Sequence, residues 1–380
     1  MGGYRRRLRH DAFEYLEYLR DRGSNGMLRI PWGGWCVTDT AKAHSVLRDA
    51  EFNSGRSAFF SDMLPTREAQ IEVGRAVRNL LRSQLPEYRV ALAVEVSRLP
   101  AASQWPAAGI DLVYRSMRDI LLHPESPGHL RDLMDRGVHG GIMFQAPTVR
   151  QRIRAEFLRT KFNQAFTEEV ARRRKNPAEE PRDVLDALLA TCSESLPDET
   201  VSALFGTMYR SSVAPSASTL AWSVLLAFMH HASDSPLPWP ADWIVREAMR
   251  HRPMVWMVGR AVPHDTEING VSFKAGEFVS TSPYLMHHAE QGWTDHDVFR
   301  PERWGEPERG PFIPFGAGPF ICSSAAVAME LMTDALTVLT DGARVSVTGG
   351  DTRPVMIEGA VPRPFTLHRS VGQLHAAGRD

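Results

Sequence analysis

Cys322 closes the segment Phe315-Gly316-Ala317-Gly318-Pro319-Phe320-Ile321 and runs straight into an apolar stretch whose pattern predicts a helix over 323–340. Glycines at 316 and 318 let the backbone turn tightly and approach a partner closely. At a helix start, unpaired amide N–H groups and the helix dipole favour a thiolate over a thiol. A thiolate held by backbone donors under a phenylalanine is what a cysteine-ligated haem iron requires. Cys322 is therefore the expected axial metal ligand, cradled by Phe315 and Gly316. A lone Cys after a Gly-rich turn is usually inert; the spacing Phe-x-x-Gly-x-x-x-Cys is far more specific.

Two charged motifs stand upstream. Glu247-Ala248-Met249-Arg250 places an acid and a base one helical turn apart, where they can pair. Phe299-Arg300-Pro301-Glu302-Arg303-Trp304 adds a second arginine. Taken alone, Glu-x-x-Arg is usually a surface helix pair. In this order, with the Cys322 loop last, the three motifs resemble the cytochrome P450 family of haem-thiolate enzymes. The resemblance is strong over the C-terminal third and reaches weakly to Val77-Arg78-Asn79-Leu80-Leu81. It implies a mainly α fold with minor β, a triangular helical domain plus a small strand-rich portion. It implies haem b as cofactor, and Glu247, Arg250 and Arg303 as a buried ion cluster. The haem propionates need cationic partners; the family's positions match Arg260 and Arg78, the latter interchangeable in alignment with Arg75. His287 or His288 is a further expected donor.

The chain also departs from that family. Ser218-Thr219-Leu220-Ala221-Trp222 matches its long central helix, but the acid and threonine that relay protons upstream are replaced by Ala214 and Pro215. Ser216, one residue late, is the expected hydroxyl, with Ser211 and Ser212 as alternatives. Pro215 removes a helical N–H, so a kink and a free Ser211 carbonyl able to hold water are expected. Phe320 replaces a basic residue often found two before the Cys, Ser324 replaces a glycine, and the helix usual between Met229 and Glu247 is reduced or lost.

The positioning elements follow from periodicity. Residues 11–21, 40–49 and 241–251 read as helices, and 67–235 as helical almost throughout, broken at prolines including Pro86, Pro106, Pro127, Pro147 and Pro197. Strand-rich parts are 27–38, 254–281 with a turn at Asn269-Gly270, and 343–369. No βαβ rhythm is present, and the strand-rich ends are expected to meet in one interwoven domain over 1–380.

The chain has 380 residues, 43% hydrophobic and 23% charged, with net charge −1. That suffices for a large core and argues against nucleic-acid binding. Three cysteines (Cys36, Cys192 and Cys322) exclude a disulfide framework or a four-cysteine zinc site. The apolar run near Leu220–Met229 is about half a membrane span, and no targeting signal is read. The expected location is the cytoplasm, with no membrane partner. The expected function is a bacterial monooxygenase of secondary metabolism acting on a hydrophobic small molecule, fed by an external ferredoxin and ferredoxin reductase. Its alternative is a haem-thiolate enzyme of non-standard chemistry: peroxide-driven, radical coupling or substrate-assisted. A non-catalytic recruitment relative ranks last. The expected substrate lining is the 56–66 loop, Val213, Ser216, Val255-Trp256-Met257 and Ala360-Val361.

Overall fold

A computed structural model describes residues 3–53, 59–60, 62–144, 148–231 and 236–371; residues 56–58 and 61 of the expected lining, and Pro147, lie outside them. The N-terminal part comprises α1 (Gly3–His10), α2 (Ala12–Arg20), β1 (Met27–Arg29), β2 (Trp35–Val37) and α3 (Thr40–Arg48). Asp11 caps α2 by accepting from the Phe13 and Glu14 amides, and Asp39 caps α3 by accepting from Lys42.

The helical part holds α4 (Arg67–Ser83), α5 (Leu85–Ser97), β3 (Ala102–Trp105), α6 (Ala107–Leu121), α7 (Gly128–His139), α8 (Val149–Lys175), α9 (Val184–Thr191) and α10 (Asp198–Met229). Prolines expected to break helices instead begin them. Pro106, Pro127 and Pro197 are the N-caps of α6, α7 and α10, and Pro86 sits in the first turn of α5. Proline lacks an N–H that the first turn leaves unpaired anyway.

The C-terminal part comprises α11 (Ala241–His251), β4 (Val258–Ala261), β5 (Thr266–Ile268), β6 (Val271–Phe273), β7 (Phe278–Thr281), α12 (Pro283–His287), α13 (Ala325–Thr340), β8 (Ala343–Gly349), β9 (Val355–Met356), β10 (Ala360–Val361) and β11 (Phe365–Val371). Short 3-10 turns cover Pro301–Gly305 and Gly318–Phe320. Asn269 and Gly270 both have positive φ in the β5–β6 turn, as a tight hairpin requires.

Strands from the two ends share sheets. In the order β1-β2-β7-β4, β2 runs parallel to β7, with Trp35 opposite Val279 and Val37 opposite Thr281. In the order β3-β11-β8, β3 is a strand inside the stretch read as helical. Its inward residues Ser103 and Trp105 are buried, and Trp105 stacks on Phe365. The alternation was too short to outweigh its helical surroundings.

α10 is the core helix. From Val213 to Ala227 every residue except Pro215 is buried, as suits a helix apolar on all sides. Among the described residues it alone is long and apolar enough to cross a membrane; here other parts of the chain cover most of that stretch. α10 continues through Pro215.

Candidate active site

Cys322 lies three residues before α13, outside the helix proper. The Cys322 amide donates to the Phe315 carbonyl at 3.0 Å, and the Ile321 amide to the Gly318 carbonyl at 3.1 Å, folding the loop back on itself. Gly316 and Gly318 have φ of 76° and 70°, where a side chain would be strained. A Cβ on Gly318 would also fall 2.3 Å from the Leu47 carbonyl oxygen of α3. On the other side, a Cβ on Gly74 would lie 2.9 Å from Ser323 Oγ, so α4 passes directly against the loop.

Cys322 is exposed. Protein crowded around the thiol raises its pKa by desolvation, opposed by a hydrogen bond from the Ser324 backbone. The expectation that the helix start alone would favour a thiolate is thus corrected: desolvation outweighs the one amide aimed at the sulfur. A metal ion would deprotonate it outright.

Two guanidiniums bracket Phe320. Arg67, the first residue of α4, lies 4.1 Å from the ring centroid, and Arg260 of β4 lies 5.2 Å from it. Arg67 donates to the Pro319 carbonyl. Arg260 is largely buried and donates to Asn53 Oδ1 at 2.6 Å. Neither forms an ion pair among the described residues. Burial lowers the pKa of both, and the charge of Arg67 lowers that of Arg260 further. Two partly desolvated cations with no ion-pair partner among the described residues, beside an accessible thiol, fit a ligand with two carboxylates and a soft metal. The donor set therefore suits haem, with Arg67 supplying the basic charge that Phe320 lacks.

Arg67 was not found from sequence. Arg78, which was, lies one turn beyond Gly74 and bonds its neighbour Asn79 at 3.1 Å. His287 is a correction. It is fully buried, and its Nε2 accepts from the Ile313 amide at 2.9 Å. Burial, then the nearby Arg250 charge, pushes its pKa down to about 3. The ring packs the segment before the loop and presents no cation to a propionate. His288 is likewise buried, with Nδ1 on the Tyr284 carbonyl.

Glu247, Arg250 and Arg303 are 0%, 0% and 2% exposed. Arg250 meets both Glu247 oxygens at 3.0 and 2.8 Å, and Arg303 meets Oε1 at 3.0 Å. The Arg300 amide and Trp304 indole also donate to Glu247. Arg250 donates to the His287, His296 and Val298 carbonyls, and Arg303 to those of Thr294, Asp295 and Val298. All but one of the remaining guanidinium hydrogens are thereby spent on backbone.

On α10, the Ser216 hydroxyl donates to the Ser212 carbonyl at 2.9 Å, and the Ser211 hydroxyl to Met208 at 3.2 Å. Ala214 is buried beside half-buried Pro215. Trp222, farther along α10, donates to the Ala360 carbonyl at 2.9 Å, fixing the β10 turn on this helix.

Residues 241–364 match the family model described as Cytochrome P450. Mouse cytochrome P450 3A11 is 33% identical over 101 residues, covering 25% of this chain and 20% of its own length. The cyclooctat-9-en-7-ol 5-monooxygenase of Streptomyces melanosporofaciens is 35% identical over 106 residues, 27% of this chain and 23% of its own. The match thus spans about a fifth of the length of these curated relatives. Among solved structures, P450BioI in complex with a ligated acyl carrier protein superposes with a TM-score of 0.74 at 15% identity, over 96% of this chain and 100% of the other. P450 EryK from S. erythraea gives 0.73 at 19% identity, over 96% and 97%. The chain therefore has the cytochrome P450 fold over nearly its whole length, and its residues 241–364 match the model of that family.

Proposed function

We propose that this chain is a haem-thiolate monooxygenase of the bacterial type, oxidising a hydrophobic small molecule in secondary metabolism within the cytoplasm. It works as one domain over 1–380, with electrons from an external ferredoxin and ferredoxin reductase. The observation that carries this reading is the Cys322 loop: an accessible thiol with an amide donor, beside two cations that form no ion pair among the described residues. Haem b, when bound, supplies dioxygen activation, one oxygen atom entering the substrate and the other leaving as water with two electrons and two protons.

The residues of this chain divide the remaining work. Cys322 ligates the iron, Phe315 and Gly316 hold its loop, and Arg67 and Arg260 hold the propionates. Arg78 stands as an alternative on the same α4 column. On the distal side, Ala214 and Pro215 hold no proton. The Ser211 carbonyl has no amide donor from position 215, and the Ser216 hydroxyl keeps its lone pairs after donating to Ser212. These two acceptors can orient a water that carries protons. Removing an acid–base group costs about 10²–10⁴-fold in rate. Ser216→Ala is expected to slow product formation within that range and to divert electrons to peroxide.

The loss of the acid–alcohol pair favours a second reading, chemistry driven by peroxide. A silent Ser216→Ala combined with turnover on peroxide alone selects it. The test of the main reading is the spectrum of the reduced protein with carbon monoxide. The thiolate signature is expected in the wild type and lost in Cys322→Ala; an unchanged spectrum in that variant refutes the assignment.

A further inference from the structure

Val149, Ile153 and Phe157 of α8 are 70%, 66% and 62% exposed. Their spacing of four places them in one ridge over about two turns. Of residues 149–161, only Ala155 is buried. A capping box between Thr148 and Gln151 nevertheless fixes the helix start, and Arg159 ties it to the Gly141 carbonyl at 2.7 Å. A formed helix that buries so little of itself is pre-organised to bury it elsewhere.

The surrounding charge narrows the occupant. At about 100° per residue, Arg150, Arg154 and Lys161 fall in one column beside the ridge. None forms an ion pair among the described residues, and Lys161 sits 4.5 Å over the Phe157 ring. Residues 149–161 carry five cations and one carboxylate, Glu156, which flanks the ridge on its other side. A second copy of this surface would meet like charge. An anionic bilayer would ask for a broader apolar face and would repel Glu156. A narrow ridge at this spacing suits the groove of another helix.

We propose that the N-terminal half of α8 is a docking surface for a protein helix carrying an apolar stripe beside an acidic column. α8 packs on α10, with Ser202 donating to the Asn163 carbonyl at 3.0 Å.

The probe is a labelled synthetic helical peptide with a leucine stripe flanked by glutamates, followed by fluorescence anisotropy on the full chain. Binding is expected, weakening with salt, and weakening at least about tenfold in Ile153→Ser/Phe157→Ser and in Arg150→Glu/Arg154→Glu. Both variants should keep the wild-type melting temperature, since all four side chains are exposed. A lysine-flanked peptide should not bind. Equal binding by wild type and variants, or no binding, overturns the proposal. Binding to phosphatidylserine vesicles that the same substitutions abolish also overturns it, in favour of a membrane surface.

Discussion

Glu247 and Phe320 each gather two arginines, and the two groups handle charge in opposite ways. Around Glu247, Arg250 and Arg303 share one carboxylate and spend all but one of their other hydrogens on six backbone carbonyl contacts. Around Phe320, Arg67 and Arg260 face an aromatic ring and form no ion pair among the described residues. The first group is complete within the protein and joins α11 to the segment after α12. The second is balanced only when a dianion arrives. Burial of charge thus marks a structural joint where the partners are internal, and a ligand site where they are missing.

The sharpest way to break this contrast is Arg250→Leu. Removing one member of a buried pair costs about 3–5 kcal/mol, so little soluble protein is expected, and urea unfolding should be displaced accordingly. Arg67→Ala tests the other side. Hydrogen bonds to charged groups are worth about 1.5–3 kcal/mol, so haem should transfer to apomyoglobin roughly 10–100-fold faster. The urea midpoint of the haem-free protein should stay or rise, since a repulsion is relieved. Arg78→Ala should change haem loss by less than about twofold; a larger effect than Arg67→Ala would move the propionate site to Arg78.

A smaller effect separates the two groups by pH. His287 supports the Glu247 cluster through its carbonyl to Arg250, and burial holds its pKa at about 3. The unfolded histidine titrates near ~6.5, so below that pH the unfolded chain binds a proton that the native state refuses. Stability is fully present above ~6.5 and falls as pH drops toward 3. His251 and His288, both pushed down by burial, act in the same direction. The urea midpoint followed from pH 7 to 4 should fall less steeply in His287→Gln.

The Cys322 loop and the Glu247 cluster were legible because their chemistry is written in local spacing. Glu247 and Arg250 pair across one helical turn, and Phe315 bonds Cys322 within one loop. Arg67 was not legible, since its meaning lies in Phe320, more than two hundred residues away. β3 was hidden for the same reason: its partner is β11, and four residues carry too little pattern to declare a strand. His287 was misplaced because resemblance supplied its neighbourhood but not its orientation, which the Ile313 amide fixes. Proline was read as a stop, although at a helix start it is a beginning.

The parallel pairing of β2 with β7 has a consequence for synthesis on the ribosome. The β1–β2 hairpin emerges early, but its partner begins at Phe278. At about 5–20 residues per second, the intervening chain takes roughly 12–50 s to appear. For that interval β2 presents an unsatisfied edge, with Cys36 and Val37 still to be buried, and such an edge invites pairing with a neighbouring chain. Slower translation lengthens that window, so the yield of native protein should depend on elongation rate and on holdase chaperones that cover the first hairpin.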